Sequence, residues 1–127
     1  MLKRRRELAR TYAEALQEIP GLHPPAVPDY ARPNFQSYAV RLGPEYPLSR
    51  DEVIHELFHH RISTRRGVMN AHEERAYADM SRGRLPVSEA AHDNTLLLPL
   101  YDTMSRAEQN YVIDCLRSLG KMNEFRE

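Results

Sequence analysis

The hydrophobic residues near both ends of the chain recur at the spacing of an α-helix. In residues 2–18 the apolar positions are three or four residues apart, and Pro20-Gly21 ends the segment. Residues 105–119 repeat this pattern between a capping-box pair, Ser105 and Glu108, and a terminal glycine. We therefore predict a long amphipathic helix at each end. Their inner faces are Leu8, Tyr12, Leu16 and Ile19 in the first, and Tyr111, Val112, Cys115, Leu116 and Leu119 in the last.

The middle of the chain shows the period of two that is typical of β-strands. Tyr38, Val40 and Leu42 alternate with polar neighbours over residues 36–42, which predicts a half-buried strand. Two more short strands are predicted: Ile62–Arg65, which is followed by the break at Gly67, and the compact apolar run Thr95–Leu98, which Pro99 ends.

Helical segments and a connector separate these strands. Ser49 and Glu52 form a second capping box, which begins a helix. Residues 73–81 and 86–94 are weakly helical, and the proline-rich residues 20–34 predict an extended connector. The order of elements predicts a single α+β domain over residues 1–127, with helices packed against a small three-stranded sheet.

The composition excludes several classes of function. The 127 residues are 41% hydrophobic and 28% charged, with 18 basic and 18 acidic side chains. This balance gives no field that would attract nucleic acid or an anionic membrane. No apolar run approaches the roughly 20 residues of a membrane-spanning helix. The single Cys115 excludes an internal disulfide. We expect a cytoplasmic protein that binds neither nucleic acid nor membrane.

One segment, HELFHH at residues 55–60, matches the zinc-protease pattern H-E-x-x-H. A zinc protease directs both histidines and a third ligand into a cleft. Here His55 and His59 lie opposite the apolar arc of their helix. That arc is formed by Val53, Ile54, Leu57 and Phe58. We expect an exposed face without a metal and keep a zinc hydrolase as the weaker alternative.

Three further stretches, taken together, are similar to one protein family. They are RRRELARTY at residues 4–12 with Leu16, ISTRRG at residues 62–67 with His72 and Tyr77, and LPVSE and LLPLY at residues 85–89 and 97–101 with Met104, Ser105 and Glu108. In order and spacing they resemble the small C-terminal domain of DegT/StrS-type nucleotide-sugar aminotransferases. The resemblance covers residues 4–119. The family has glycine where this chain has Arg61, and glycine there would supply the left-handed residue that ends many helices.

The resemblance implies a cofactor and partners. Members are pyridoxal-phosphate transaminases of fold type I, which move an amino group onto a nucleotide-linked keto sugar as homodimers. Their cofactor lysine lies in a large domain that would precede residue 1. Lys3 and Lys121 are the only lysines here, and both have polar neighbours. We therefore expect a small domain without catalytic residues that binds no cofactor alone. Its partners would be the large PLP-binding domain, a second subunit and a nucleotide-sugar substrate.

Four residues after the second predicted strand are candidates for substrate binding: Arg65, Arg66, Asn70 and His72. Loops that a sheet positions often contact ligands, and arginines bind phosphate oxygens through charge-assisted hydrogen bonds. His72 matches a small-domain histidine that lies near the substrate in many members. In the alternative interpretation the arginines are a solvated strand end and His72 begins a helix. A stand-alone binding module remains the alternative function.

Overall fold

A computed structural model describes residues 1–80 and 83–122. It confirms the α+β class. No helix in this described part is long and apolar enough to cross a membrane. The elements follow in the order α1 (Leu2–Leu16), β1 (Leu22–His23), β2 (Tyr38–Leu42), α2 (Arg50–His59), β3 (Arg65–Arg66), two 3₁₀ turns (Ala71–Glu73 and Arg75–Tyr77), α3 (Pro86–Asn94), β4 (Thr95–Leu98) and α4 (Arg106–Leu119).

The sheet has four antiparallel strands in the order β1-β2-β4-β3, so the prediction of three strands is wrong in number. The additional strand, β1, lies inside the predicted connector and pairs Leu22 with Leu42 of β2. Gly21 precedes it with a φ of +83°, and a Cβ there would lie 2.2 Å from the backbone nitrogen of Tyr46. Only glycine fits this turn. The sequence did not predict β1 because two residues are too few to show the alternation of apolar and polar positions that indicates a strand.

One face of the sheet carries the hydrophobic core. Its strand residues are at most 4% exposed: Tyr38, Val40, Leu42, Leu96 and Leu98. Helices α1 and α4 cover this face, and the Tyr12 ring centroid lies 5.1 Å from that of Tyr38. Gln109 Nε2 of α4 donates to the Leu8 carbonyl of α1 at 2.7 Å. The predicted inner faces of both helices are buried except for Tyr111, which is 49% exposed.

Both predicted capping boxes are present. Ser49 Oγ accepts a hydrogen bond from the Glu52 N–H at 3.3 Å, and Glu52 Oε2 accepts one from the Ser49 N–H at 2.8 Å. Ser105 and Glu108 make the same two bonds at 3.1 and 2.7 Å. Each box satisfies N–H groups that have no partner within the first helical turn. Helices α2 and α4 therefore begin one residue after their serines.

The end of α2 departs from the expected pattern in a specific way. Arg61 has a φ of +61°, so it occupies a left-handed position, the conformation for which glycine is the usual residue at a helix end. Its N–H donates to the Phe58 carbonyl at 2.9 Å, and the Ile62 N–H donates to the Leu57 carbonyl at 2.8 Å. These two bonds define a Schellman motif. The helix therefore keeps its usual end, with a backbone conformation that is unfavourable for arginine.

Three local predictions are wrong. The strand predicted at Ile62–Arg65 is instead Arg65–Arg66, the two residues that pair with Leu97 and Leu96 of β4. Residues 73–81 form no α-helix over their described part: residues 71–77 are two 3₁₀ turns, and Ser81 lies outside the described residues. Phe58, placed in the buried arc of α2, is 72% exposed.

Candidate functional site

The candidate site lies where the loop after β3 runs alongside α3. At the start of this loop, the Gly67 N–H donates to the Thr95 carbonyl of β4 at 3.0 Å. A Cβ at residue 67 would lie 2.4 Å from Thr95 Cγ2. Glycine therefore lets the chain pass directly over β4 and turn toward α3. The helix itself begins with Pro86, whose fixed φ suits a first helical position.

Backbone carbonyls and polar side chains hold the loop against α3. Asn70 is 7% exposed, and its Nδ2 donates to the Ser88 carbonyl at 3.0 Å and to Glu73 Oε2 at 2.8 Å. His92 Nδ1 lies 2.7 Å from the Val68 carbonyl, which can only accept, so His92 carries a proton on Nδ1. Because both donors of Asn70 are used inside the protein, its carboxamide oxygen remains as the acceptor for a ligand.

A second contact joins His72 to Glu89 on the same helix. His72 Nε2 lies 3.2 Å from Glu89 Oε1, and both side chains are 16% exposed. Glu89 also accepts hydrogen bonds from the Leu85 N–H at 3.0 Å and from Arg84 Nη2 at 3.2 Å. These donors, the Leu85 N–H first and His72 next, lower the pKa of Glu89. The carboxylate is therefore charged at neutral pH and accepts from His72 Nε2; in a neutral imidazole the other nitrogen, Nδ1, is an acceptor.

A pocket of about 510 Å³ opens beside these side chains. Asn70 and His72 line it, together with Tyr77 and Ser88 and the apolar residues Met69, Ala71, Met80 and Leu85. Much of the apolar lining is open to solvent: Met69 is 79% exposed and Met80 is 50% exposed. Exposed apolar surface around polar groups is typical of a surface that another molecule or domain covers. We call this surface the α3 pocket.

The structure brings two of the four predicted substrate-binding residues together. Asn70 and His72 both line the α3 pocket, whereas Arg65 and Arg66 do not. The two arginines are consecutive residues of an edge strand, so their side chains project to opposite faces of the sheet. Arg66 Nε lies 3.9 Å from Asp51 Oδ1, and its side chain is 59% exposed. A role for any of the four in substrate binding stays a prediction.

Three supporting residues were not singled out from the sequence: Glu89, His92 and Arg50. Arg50 is 5% exposed, and its Nη1 donates to the His92 carbonyl at 2.6 Å and to the Thr95 carbonyl at 3.2 Å. It therefore fixes the end of α3 to the start of α2. Glu89 and His92 are three residues apart, so they share one side of α3. Their spacing is the only feature of the local sequence that places Glu89 and His92 on the same side of α3.

One group of side chains in the described ranges could reach a common metal ion. The potential ligand atoms of His72, Glu73 and Glu89 all lie within 4.8 Å of one another. Every one of these groups already has a hydrogen-bond partner, and Arg84 pairs with Glu89. Each of these three side chains is therefore already used in a contact within the protein.

The HELFHH segment does not form a protease-like site. His55 and His59 are exposed on α2, as their position opposite the apolar arc predicted. Among residues 1–80 and 83–122 no third histidine, cysteine or carboxylate completes a ligand group with them.

The family assignment follows from the comparison with known proteins. The model of the DegT/DnrJ/EryC1/StrS aminotransferase family matches residues 1–117. This chain belongs to that family, which uses pyridoxal phosphate. The predicted resemblance is confirmed.

Individual relatives agree with the assignment. The chain is 36% identical over 115 residues to a dTDP-4-dehydro-2,3,6-trideoxy-D-glucose 4-aminotransferase of Saccharopolyspora spinosa, covering 89% of this chain and 28% of that protein. It is 29% identical over 122 residues to a dTDP-3-amino-3,6-dideoxy-alpha-D-galactopyranose transaminase of Aneurinibacillus thermoaerophilus, covering 93% and 31%. The crystal structure of the aminotransferase TlmJ from Streptoalloteichus hindustanus superimposes with a TM-score of 0.83 at 29% identity, covering 98% and 32%. The chain thus spans about 30% of the length of these relatives.

The side chains present do not fit pyridoxal phosphate. The cofactor needs a lysine for its Schiff base, in surroundings that hold the ring and phosphate. Lys3 is exposed in the first turn of α1, and Lys121 is exposed after α4. Neither lies in the α3 pocket. We derive no chemical step through the cofactor on this chain.

Proposed function

We propose that this chain acts in the cytoplasm as the small domain of a nucleotide-sugar aminotransferase, and that the α3 pocket is one wall of its sugar site. A large domain and a second subunit supply the other walls and the cofactor lysine. The chain alone binds no cofactor and does not transaminate. Family membership supports the reaction class. The dTDP-linked sugars in the names of two relatives support a nucleotide sugar as substrate.

The observation that carries this proposal is a pair of fixed polar groups inside an uncovered apolar rim. Asn70 Oδ1 and His72 Nδ1 have no protein partner in the described part of the chain. Both accept hydrogen bonds, so they suit the hydroxyl groups of a sugar. Their partners on α3 hold them in place before a ligand arrives, which reduces the entropy that binding must overcome.

The apolar rim supports closure over another domain. Met69 is 79% exposed and Met80 is 50% exposed, and both line the pocket. Covering such side chains contributes roughly 25 cal/mol for each Å² removed from water. Closing the rim would also exclude water from the two polar groups and strengthen their hydrogen bonds. Arg65 and Arg66 act, in this proposal, on the nucleotide phosphates from the edge of the sheet.

Fragment complementation tests the proposal. Residues 1–127 are mixed with the S. spinosa relative from which the matching segment has been removed, and transamination of its keto-sugar substrate is measured. We expect activity only when both parts are present. Met69→Asp on the rim should reduce it about tenfold or more, since an ionised carboxylate would be buried without a partner. The matched control is Tyr30→Asp, because Tyr30 is 92% exposed and lies outside the pocket lining.

The same exposed rim leaves one other function open, a stand-alone module that covers the rim with a second copy of itself. Sedimentation of residues 1–127 separates the two. If the chain is a stand-alone module, it should sediment as a dimer, and Met69→Asp should dissociate that dimer. The small-domain proposal predicts that Met69→Asp changes complementation and leaves the isolated chain's oligomeric state unchanged.

A further inference from the structure

The exposed histidines of HELFHH converge on one point although they form no protease site. His55 and His59 are four residues apart on α2, so they are neighbours on its surface. Their Nε2 atoms are 2.9 Å apart, and their rings are nearly perpendicular, at 88°, with centroids 4.4 Å apart. Without a metal this contact requires one ring to donate from Nε2 while the other keeps its proton on Nδ1. If both rings hold the proton on Nδ1, two lone pairs face each other and a cation between them would stabilise the pair.

We infer that His55 and His59 form a two-imidazole site for a divalent transition metal of the Cu²⁺ or Ni²⁺ type. Imidazole ligands favour these metals, because Cu²⁺ and Ni²⁺ stand highest in the affinity order of the divalent first-row ions, and the spacing is compatible with them. With metal–nitrogen bonds of about 2.0–2.1 Å, two nitrogens 2.9 Å apart subtend about 90° at the metal. That is the angle between neighbouring ligands in square-planar and octahedral complexes, which Cu²⁺ and Ni²⁺ adopt. Tetrahedral zinc would separate the same nitrogens by about 3.3 Å.

The position of the pair on α2 favours a cation. Helix α2 ends at His59, so both rings lie in its last two turns, where the carbonyl groups carry the negative end of the helix dipole. Both side chains are exposed, so a hydrated ion reaches them without moving the backbone. Water would complete the coordination, because no third protein ligand is within reach among the described residues. The site is therefore open and reversible, and it is independent of the α3 pocket.

Copper titration of the purified chain tests this site. We expect one Cu²⁺ per chain, with an electron paramagnetic resonance spectrum that shows coupling to two nitrogens, and a higher unfolding temperature in the presence of copper. His55→Ala and His59→Ala should each lower the affinity by about tenfold or more and leave one coupled nitrogen. His60→Ala is the matched control: His60 is exposed and adjacent, and its hydrogen bonds within the described part of the chain involve only the backbone, whose N–H donates to the Glu56 carbonyl and whose carbonyl accepts from Tyr111 OH.

Two results would overturn the inference. One is copper affinity that is the same in the original chain and in His55→Ala. The other is copper held elsewhere, shown by its loss in His72→Ala or by a spectrum from the terminal amine. Zn²⁺ bound more tightly than both Cu²⁺ and Ni²⁺ would refute the choice of metal.

Discussion

Three buried tyrosines provide a matched test of the packing, because their hydroxyl groups have different surroundings. Tyr12 OH donates to the Pro99 carbonyl at 2.8 Å, and Tyr46 OH donates to the Leu116 carbonyl at 2.7 Å. Tyr38 OH is buried and has no hydrogen-bond partner within the described ranges. All three side chains are at most 4% exposed. Replacing each by phenylalanine removes only the hydroxyl group and keeps the ring in the core.

The hydrogen bonds of the three hydroxyl groups predict the direction and the magnitude of the change in the free energy of unfolding for each substitution. Tyr46→Phe should lower the free energy of unfolding by about 1 kcal/mol. The loss is limited because the Leu116 carbonyl still accepts from the Gly120 N–H at 3.0 Å. Tyr12→Phe should cost about 1–2 kcal/mol, since it leaves the Pro99 carbonyl without this donor. Tyr38→Phe should instead stabilise the fold by about 1 kcal/mol, because it removes a desolvated hydroxyl that gains nothing in return.

Urea unfolding at pH 7, followed by circular dichroism, measures these differences. A difference of about 2 kcal/mol between Tyr38→Phe and Tyr46→Phe is large against a total stability of about 5–15 kcal/mol. The slope with urea should stay the same in all variants, since the surface exposed on unfolding does not change. If Tyr38→Phe is destabilised as much as Tyr46→Phe, the placement of the Tyr38 hydroxyl in this core is wrong.

Three further substitutions test other parts of the account. Arg61→Gly should stabilise the chain by about 0.5–1 kcal/mol in thermal unfolding, because glycine adopts the observed φ of +61° without strain; a loss would contradict the left-handed helix end. Arg50→Ala should lower the free energy of unfolding by about 2–4 kcal/mol, because it removes the donors to the His92 and Thr95 carbonyls. The control is Arg41→Ala at an exposed position, which should change it by less than about 0.5 kcal/mol. Equal effects of the two substitutions would refute the anchoring role of Arg50. The pKa of Glu89 is lowered in the folded chain, so its contribution is present above the unfolded pKa of about 4.3 and is lost as the pH falls through the lower folded value. Glu89→Gln should therefore lower the free energy of unfolding at pH 7, and the difference from the original chain should become smaller below about pH 4. A difference that does not depend on pH would contradict the role given to this carboxylate.

Features encoded by neighbouring residues were predictable from the sequence. The capping boxes at Ser49 and Ser105 depend on residues three positions apart, and both formed as predicted. The buried stripe of α1 follows from helical spacing alone. The strands were less predictable because their limits depend on the partner. β1 exists through its pairing with β2, and β3 is an Arg-Arg pair of low intrinsic strand preference that β4 selects.

Two residues that line the candidate site, Asn70 and His72, were named from the sequence, but their partners on α3 were not. His72 was singled out because it matches a small-domain histidine of the family it resembles, and Asn70 because it lies in the same loop. Their partners, Glu89 and Ser88, are 17 and 18 residues further along the chain. No local pattern specifies that α3 folds back onto this loop. The arginines of β3 carry the right chemistry for phosphate, but they do not line the pocket.

The central claim is that the α3 pocket contacts the sugar, and His72 is its sharpest test. The matching segment of the S. spinosa enzyme is replaced by residues 1–117 of this chain, and the half-reactions with the amino donor and with the keto sugar are followed separately by cofactor absorbance. We predict that His72→Ala slows the keto-sugar half-reaction by about tenfold or more, with a smaller effect on the amino-donor half-reaction. The control, His23→Ala, changes an exposed histidine of β1 outside the pocket lining and should alter neither. If His72→Ala also leaves both half-reactions unchanged, the α3 pocket is not a wall of the sugar site.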